Sequence, residues 1–454
     1  MAPEHCTPQP NGGCSPSVSF ITLGCAKNEV DTSAMQRRVA EAGYALTDDL
    51  ESAAVVVVNT CSFIQAATEE SIDTILEVCG LNGFANGDMK LVVAGCMPAR
   101  YGDDLAAELP EAAAFVPCSR EDDIADVLDG IFKDSAPRAA SSFATGSNRV
   151  GVEIPSPGYP AAYVKISDGC DRFCSFCMIP FIRGGYHSFT LEDICSDVQS
   201  RVAEGAREIT LIAQDTGRWG EDFEEPSTTA VLLDELAVRF PDIWFRIMYV
   251  EPEGVTDDLL KVMARHSNIC NYLDMPVQHS SARILRAMNR KGSGGEFLQL
   301  VRHIRDMVPG ITLRTTLIAG FPGETDVDFE QLEDFLEEAA FDYVGVFAFS
   351  PEEGTRAAAL PDQIDDETKL SRAQELRDLC DSISSQVVSD RIGTCMDVLV
   401  LGAEEDGQLF GRAACQAPEV DGVVYLESGQ IGSFVPVEIV DTLAYEMEGE
   451  LIGC

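Results

Sequence analysis

The sequence lacks the features of membrane and secreted proteins. It contains no run of about 18 apolar residues, the length that a transmembrane helix needs. Its first residues, MAPEHCTPQPNGGCSPS, contain neither a basic region nor an apolar stretch, so they do not form a secretory signal. We therefore expect a cytoplasmic protein, with residues 1–16 as a loose N-terminal tail.

Basic residues are also scarce. The chain has 32 Lys and Arg against 76 Asp and Glu, which gives a net charge of −44. Such a charge repels nucleic acid, so it argues against an extended phosphate-binding surface and favours a basic partner. A cell whose whole proteome is acidic is an equally good explanation of the charge.

Cysteine, in contrast, is abundant, with 16 residues in a chain of 454. Disulfide scaffolds are short secreted chains with a small core, and this chain is long enough for two or three domains and has no export signal. Metal binding is therefore the better explanation for at least some of these thiols.

Hydrophobic patterning divides the chain into three folded segments. Residues 17–133 alternate β-branched runs (VSFITLGC, AAVVVVNTC, KLVVAGC) with helical patterns, which predicts a doubly wound α/β domain. Residues 134–160 are rich in Ser, Ala, Pro and Gly and are a predicted linker. Residues 161–387 repeat about six strand–helix units, which predicts a partial (β/α) barrel with its chemistry at the carboxyl ends of the strands. Residues 388–454 lose the helical period and predict a small all-β barrel.

The stretch DGCDRFCSFCMIP places Cys170, Cys174 and Cys177 directly after the first predicted barrel strand, AYVKIS. A tetrahedral zinc site or a closed iron–sulfur cluster needs four protein ligands, and this loop supplies only three. Three thiolates can bind three irons of a 4Fe–4S cubane and leave the fourth iron open to a substrate or cofactor. A zinc knuckle that borrows a distant cysteine and an inert buried trio are the alternatives.

Three more cysteines, Cys25, Cys61 and Cys96, each end an apolar strand of the first domain, in ITLGC, VVNTC and VVAGC. The carboxyl ends of parallel strands share one edge of a sheet, so these thiols are expected to converge. We predict a second three-thiolate cluster there, although any one of them alone is better explained as a small buried hydrophobe. The other cysteines are predicted to be packing or surface residues. Among them, Cys118 follows the apolar run AAAFVP and is expected near the edge of this domain.

CxxxCxxC after the first strand of a partial barrel resembles the radical S-adenosylmethionine superfamily, and Phe176, just before the last cysteine, also fits its pattern. The resemblance implies that S-adenosylmethionine chelates the open iron and that one electron from the cluster cleaves it to a deoxyadenosyl radical. With the second trio and the β barrel, nearly the whole chain resembles the methylthiotransferase family. In that family a three-cysteine domain precedes the radical barrel and a TRAM domain follows it. The implied cofactors are two 4Fe–4S clusters and S-adenosylmethionine.

Local phrases indicate one branch of this family. LGCAKNEVDT, LIAQDT, YLDMPVQHSS, RTTLIAGFPGET and VGVFAFSPEEGT resemble the enzymes that methylthiolate the β-carbon of an aspartate in small-subunit ribosomal protein S-twelve. This implies a basic protein substrate and a reductant protein such as flavodoxin or ferredoxin. Residues 388–454 hold two basic and thirteen acidic residues, which suits a basic protein better than tRNA. The sister branch, which modifies an adenosine of tRNA, and a non-catalytic iron–sulfur or zinc protein are the alternatives.

Further candidate residues lie along the barrel strands. Gln214 and Asp215 close EITLIAQD, and Gln278 and His279 end YLDMPVQH in a similar position. GFPGE resembles the superfamily turn beside the adenosyl group, and an arginine near the start of TLRTTLIAG is a candidate partner for a carboxylate. Where the family reads RGRYRS, this chain reads RGGYHS at residues 183–188 and lacks two basic positions. No catalytic residue is predicted. The predicted cofactor-binding residues are Phe176, Gln214, Asp215, Arg314, Gly320 and Glu324.

Overall fold

A computed structural model describes residues 15–132 and 158–452. Most of the predicted N-terminal tail and of the predicted linker lies outside these residues. The chain forms two compact units: one contains the first domain together with Phe181–Gly184, and the other contains the remaining described residues. Within the described ranges, no helix has the length and apolar character needed to cross a bilayer.

The first domain is a parallel five-stranded sheet in the order β2-β1-β3-β4-β5. Its strands are β1 (Ser17–Thr22), β2 (Ala45–Leu46), β3 (Val55–Thr60), β4 (Lys90–Gly95) and β5 (Ala114–Pro117). Its helices are α1 (Ala26–Glu41), α2 (Gln65–Cys79), α3 (Asn82–Ala85), α4 (Cys96–Glu108) and α5 (Ile124–Ile131).

Strand β3 shows why this domain is doubly wound. All six of its residues are buried, and successive side chains of a strand point to opposite faces. Val57 packs in one apolar cluster with residues of α1 and α5, whereas Val58 packs in another with residues of α2. Both faces of the sheet therefore carry helices, which confirms the predicted fold class of this domain.

The second segment is a parallel six-stranded sheet in the order β6-β9-β10-β11-β12-β13, which is the predicted partial barrel. Its strands, with a separate hairpin-like pair β7 and β8, are β6 (Ala161–Lys165), β7 (Ser167–Asp168), β8 (His187–Ser188), β9 (Glu208–Ile212), β10 (Trp244–Ile247), β11 (Ile269–Asp274), β12 (Thr312–Ala319) and β13 (Tyr343–Ala348). The helices of this segment are α6 (Ile179–Ile182), α7 (Leu191–Ala203), α8 (Thr229–Arg239), α9 (Asp257–Arg265), α10 (Ala282–Ala287), α11 (Gly294–Met307), α12 (Asp326–Ala339) and α13 (Asp366–Ser389).

The predicted strand YLDMPVQ is shifted in the structure. Strand β11 begins earlier and ends at Asp274, so Gln278 lies beyond it. Pro276 has no N–H to donate to a ladder, which explains why regular pairing stops before it. Gln278 adopts a left-handed conformation, with φ of 68°, and its N–H donates to the carbonyl of Thr316 at 2.9 Å.

The last segment is a closed barrel in the order β14-β15-β16-β18-β17, as predicted for an all-β domain. Its strands are β14 (Cys395–Ala403), β15 (Leu409–Ala413), β16 (Val424–Leu426), β17 (Phe434–Leu443) and β18 (Glu446–Leu451). This small barrel packs on the six-stranded sheet of the second segment through a buried ion cluster. The Glu208 carboxylate accepts hydrogen bonds from Arg246 Nε at 2.8 Å and from Arg412 Nη2 at 2.6 Å.

Candidate active site and cysteine clusters

The loop that carries Cys170, Cys174 and Cys177 is closed at its base by a short antiparallel pair. Ser167 in β7 pairs with Ser188 in β8, so the chain enters and leaves the loop at the same place. This pair lies just past the carboxyl end of β6, where chemistry is expected in such a sheet.

The tip of the loop is fixed by a distant segment that follows α10. The Asn289 side-chain amide donates to the carbonyls of Arg172 and Phe173, each at 3.0 Å. Ser175 Oγ donates to the carbonyl of Ala287 at 2.8 Å. Phe173 has φ of 50°, a conformation that is uncommon for a side chain of this size. The hydrogen bonds from Asn289 hold that turn in place directly before Cys174.

The three thiols of the loop are close enough to influence one another. The pKa of Cys177 is raised to about 12, mainly by burial; the N–H of Ile179 opposes the shift, and repulsion from Cys174 and Cys170 adds to it. Burial likewise raises the pKa of Cys170 to about 11. Buried thiolates need compensating positive charge, which bound iron supplies. Both the convergence of the thiols and their burial therefore fit an iron–sulfur cluster.

Charged side chains from the loop itself and from neighbouring segments surround the three thiols. Arg290 Nη1 lies 3.9 Å from the sulfur of Cys174 and donates to Glu251 Oε1 at 2.6 Å. Arg172 pairs with Asp215 and lies 3.3 Å from Glu253. Burial raises the pKa of Asp215, and the adjacent Arg172 opposes that shift.

Gln214 and Asp215 follow the carboxyl end of β9, as predicted, and lie beside the loop. Gln214 Nε2 donates to Asp168 Oδ1 at 2.9 Å, and the Asp215 carboxylate raises the pKa of Cys170 by repulsion. Gln214 Oε1 and Asp215 Oδ1 are buried without a hydrogen-bond partner. Buried oxygens without partners are costly, so two such acceptors beside the loop fit the ammonium and hydroxyl groups of S-adenosylmethionine.

Phe176 occupies a different environment from these polar groups. Its ring is half-buried and packs on the apolar core of the partial barrel. The ring thereby anchors the loop between Cys174 and Cys177.

Glu324 and Gly320 belong to the turn after β12, and the Glu324 side chain is fully buried. It accepts hydrogen bonds from Gly320 N at 3.0 Å and from Arg372 Nη1 at 2.8 Å, and it lies 3.2 Å from His279 Nε2. The side chains of Glu324 and His279 are both 0% exposed. Glu324 therefore shapes the turn from within, and His279 is a hydrogen-bonded structural residue.

Arg314 lies third of eight residues in β12, away from the carboxyl end. Its Nη1 donates to Asp274 Oδ1 at 3.0 Å, and its Nε lies 3.6 Å from Asp421 of the small β barrel. Carboxylates of the chain itself thus occupy this guanidinium. The structure does not bring Arg314 together with the cysteine loop.

The first domain brings Cys25, Cys61 and Cys96 together at one edge of its sheet. Repulsion from Cys96 and Cys25 adds to burial in raising the pKa of Cys61 to about 12. Gly24 makes this approach possible: it has φ of 100°, and a Cβ there would lie 2.6 Å from Cys61 Cβ. Cys25 is the N-cap of α1 and Cys96 is the first residue of α4. Helix N-termini stabilise thiolates, so the donor set fits a second cluster.

Arg183 belongs to the same compact unit as these thiols and is almost fully buried there. Its Nη1 donates to Asp31 Oδ2 at 2.8 Å, and its Nη2 lies 3.9 Å from the sulfur of Cys96. The RGGYHS stretch thus retains one arginine with a defined position, next to the sheet edge that holds Cys25, Cys61 and Cys96 (the thiol edge).

Cys118 stands beside this trio. Its sulfur lies 3.9 Å from that of Cys96 and donates to it. This hydrogen bond lowers the pKa of Cys96 to about 6 and raises the pKa of Cys118.

Across the described ranges, no three His, Cys, Asp or Glu side chains are close enough to share one metal ion. A cubane makes a different demand, because each thiolate binds a different iron.

Comparison with known families follows the same three segments. Residues 17–117 match the Uncharacterized protein family UPF0004, residues 164–336 match the Radical SAM superfamily, and residues 392–452 match the TRAM domain. The fold resembles the radical S-adenosylmethionine methyltransferase TsrM from Kitasatospora setae, with a TM-score of 0.54 at 13% identity over 76% of this chain and 74% of that one. The fold and the cysteine loop define a radical S-adenosylmethionine enzyme, whose cofactors are S-adenosylmethionine and a 4Fe–4S cluster.

Curated relatives identify the family. The chain is 41% identical to the ribosomal protein uS12 methylthiotransferase RimO of Natranaerobius thermophilus, over 96% of this chain and 98% of that protein. It is also 41% identical to the protein of the same name from Geobacter sulfurreducens, over the same shares of the two chains. The chain belongs to the RimO family of radical S-adenosylmethionine methylthiotransferases. This confirms the predicted enzyme class and the predicted branch of the family.

Several residues of the site carried little signal in the sequence. Glu251 follows β10 in the phrase YVEPEG, and its position at a strand end was a usable signal that sequence reasoning missed. Asn289 and Arg290, in AMNRK, follow a helix and showed no pattern that relates them to a loop more than 100 residues earlier.

Proposed function

We propose that this protein transfers a methylthio group to the β-carbon of an aspartate in ribosomal protein uS12. The observation that carries the proposal is that each compact unit brings three cysteine thiols together, in a chain of the RimO family. When bound, a 4Fe–4S cluster and S-adenosylmethionine supply a deoxyadenosyl radical that removes a hydrogen atom from an unactivated carbon.

The residues of the radical barrel then have distinct tasks. Cys170, Cys174 and Cys177 would hold the 4Fe–4S cluster that S-adenosylmethionine cleavage requires. Gln214 and Asp215 offer their unpartnered oxygens to the donors of S-adenosylmethionine and so orient it. The pairs Arg172–Asp215 and Arg290–Glu251 balance charge around the loop.

The first domain supplies the second half of the proposed chemistry. Cys25, Cys61 and Cys96 would hold an auxiliary 4Fe–4S cluster, which would supply the chemistry of sulfur insertion. Arg183 places a positive charge beside this edge. A reductant protein such as flavodoxin or ferredoxin supplies the electrons.

The small β barrel supports a basic protein as substrate rather than tRNA. The two basic residues between 388 and 454 both form ion pairs within the chain: the half-buried Arg391 with Asp342 at 2.7 Å and the buried Arg412 with Glu208 at 2.6 Å. They are thus unavailable to phosphates, which proteins bind with Lys and Arg. A concavity of about 500 Å³ on this barrel is lined by acidic side chains. Its acidic residues are Glu404, Asp406, Glu427, Glu448 and Glu450.

The test is an anaerobic assay of the reconstituted enzyme with S-adenosylmethionine, dithionite and either uS12 or tRNA. We expect uS12 to gain the mass of one methylthio group and tRNA to remain unmodified. Transfer to tRNA instead would overturn the proposed substrate. Cys174→Ala should abolish deoxyadenosine formation, whereas Cys61→Ala should retain it and lose methylthio transfer.

Iron content tests the two clusters separately. The parent should hold about eight irons, as two cubanes of four, and each of Cys170→Ala and Cys61→Ala should lose about four. Cys79→Ala, at the end of α2, is the matched control and should keep the full complement. About four irons in the parent would remove the auxiliary cluster from the proposal.

A further inference from the structure

Four neighbouring strands of the first domain, not three, are followed within three residues by a cysteine. In the sheet order, β1, β3, β4 and β5 are adjacent. The cysteines that follow them are Cys25, Cys61, Cys96 and Cys118. The proposed auxiliary cluster uses the first three, so the fourth thiol of the row has no assigned task.

The backbone places Cys96 and Cys118 side by side. Gly95 in β4 is in register with Pro117 in β5, and the two cysteines are the next residues along the parallel strands. Neighbouring strands lie about 4.8 Å apart, and disulfides join Cα atoms separated by about 4.4–6.8 Å. The two sulfurs are 3.9 Å apart. Cys118 is only half-buried, so a small oxidant can reach it.

We propose that Cys96 and Cys118 form a redox pair that closes to a disulfide when the first domain lacks its cluster. A small-molecule disulfide, oxidised glutathione, is the oxidant. Cys118 gives up its proton and its sulfur attacks one sulfur of glutathione disulfide, the S–S bond breaks, and one glutathione leaves as thiolate. The Cys96 thiolate then attacks Cys118 in the mixed disulfide and releases the second glutathione. Two protein thiols are oxidised and one glutathione disulfide is reduced to two glutathione thiols, which take up the two protons that the protein thiols give up.

The closed pair withdraws Cys96 from the thiol edge. Oxidised protein then cannot load the first-domain site until a thiol reductant reopens the bond. This second step rests on the proposed auxiliary cluster, whereas formation of the disulfide does not.

The test uses the full chain after its iron has been removed by a chelator under reducing conditions. The protein is incubated with oxidised glutathione, free thiols are alkylated, and trypsin is added. Cleavage after Lys90, Arg100 and Arg120 separates the two cysteines into peptides 91–100 and 101–120, each with one cysteine. We expect these two peptides to be recovered as one disulfide-linked species.

Two variants fix the assignment. Cys118→Ser should lose the linked species and should load iron equally well with or without glutathione disulfide. Cys79→Ser should keep the linked species. Oxidised parent protein should take up about four irons and recover about eight after dithiothreitol.

Absence of the linked peptides in oxidised parent protein would overturn the redox pair. So would a loss of iron in reduced Cys118→Ser, because Cys118 would then be a cluster ligand. If the reduced parent loads only about four irons, the auxiliary cluster fails, and the linked peptides still decide whether the pair exists.

Discussion

Arg290 Nη1 lies 3.9 Å from the sulfur of Cys174 and 2.6 Å from Oε1 of Glu251. Arg290 Nη2 also donates to the carbonyl of Pro276 at 2.7 Å, so the guanidinium is held from three sides. A fixed positive charge beside a cluster thiolate stabilises the more negative, reduced state of that cluster. If Cys174 binds the cluster as proposed, Arg290 is expected to position this thiolate and to balance its charge.

Replacement of Arg290 should make the radical-barrel cluster harder to reduce. In Arg290→Gln we expect a lower midpoint potential and about 10- to 100-fold slower deoxyadenosine formation. Arg290→Lys keeps the charge and should retain most of the potential. Redox titration followed by electron paramagnetic resonance measures the first quantity, and initial rates of deoxyadenosine formation measure the second. An unchanged potential in Arg290→Gln, with iron content intact, would contradict this role.

The buried ions that join the two barrels should contribute strongly to stability. Arg412→Met removes one of the two guanidinium partners of Glu208, whose side chain is 0% exposed. Removal of one member of a buried ion cluster typically costs about 3–5 kcal/mol in free energy of unfolding. Arg302→Met breaks the exposed pair with Glu338 and should cost less than about 1 kcal/mol. Urea unfolding measures both, and equal costs would refute the difference.

Asp421 should make stability depend on pH. Burial raises the pKa of Asp421 from 3.8 to about 6, and the hydroxyl of Tyr272 donates to it and opposes the shift. Because the folded state holds this proton more tightly, the stability that it contributes is fully present below pH of about 4 and is lost as the pH rises through about 6. The loss should amount to roughly 2 to 3 kcal/mol.

Asp421→Asn tests this dependence, because it cannot ionise. Relative to the parent, its free energy of unfolding should rise between pH of about 4 and about 6 and then stay level. Asp397→Asn, at an exposed position in β14, controls for the loss of one negative charge. A parent-to-variant difference that does not change over this interval would contradict the shifted pKa.

Gly320 should be far less replaceable than another glycine with the same backbone conformation. Gly320 and Gly310 have φ of 74° and 78°, but a Cβ at Gly320 would lie 2.3 Å from Cγ and 3.0 Å from Cα of Lys369, whereas one at Gly310 meets no atom within 4 Å. Gly310→Ala should cost about 1–2 kcal/mol from strain alone. Gly320→Ala should cost a further 1–3 kcal/mol or so, roughly the cost of overpacking. Matching unfolding curves for the two variants would show that the clash is relieved.

The fold and the convergence of the strand-end cysteines could be predicted because both depend on local sequence pattern. Continuous β-branched runs such as VVVVNT mark buried parallel strands, and such strands end at a common edge. The spacing of cysteines relative to strand ends then placed Cys25, Cys61 and Cys96 together without any knowledge of tertiary contacts. The predicted cofactor roles of Gln214 and Asp215 remain predictions that their positions support.

The rest of the site depends on contacts between residues far apart in sequence. Glu324 lies in a recognisable turn, but its partners His279 and Arg372 are more than 40 residues away on either side. No local pattern distinguishes a carboxylate that faces a cofactor from one that is buried under a helix. The same limit applies to Arg314, because one of its two carboxylate partners, Asp274, lies on the neighbouring strand 40 residues earlier and the other, Asp421, lies in a different barrel.

The ion cluster of Glu208 also determines how the chain can be divided. Arg246 in the radical barrel donates a hydrogen bond to the carbonyl of Ala414 in the small barrel at 2.8 Å. In the other direction, Arg412 of the small barrel forms an ion pair with Glu208 of the radical barrel. A chain cut before residue 392 would expose a carboxylate, a guanidinium and the apolar surface around Tyr272 that were built to be covered. The TRAM domain is therefore an integral part of this fold. A TRAM domain taken from a distant homologue would need an arginine at the position of Arg412 to pair with Glu208.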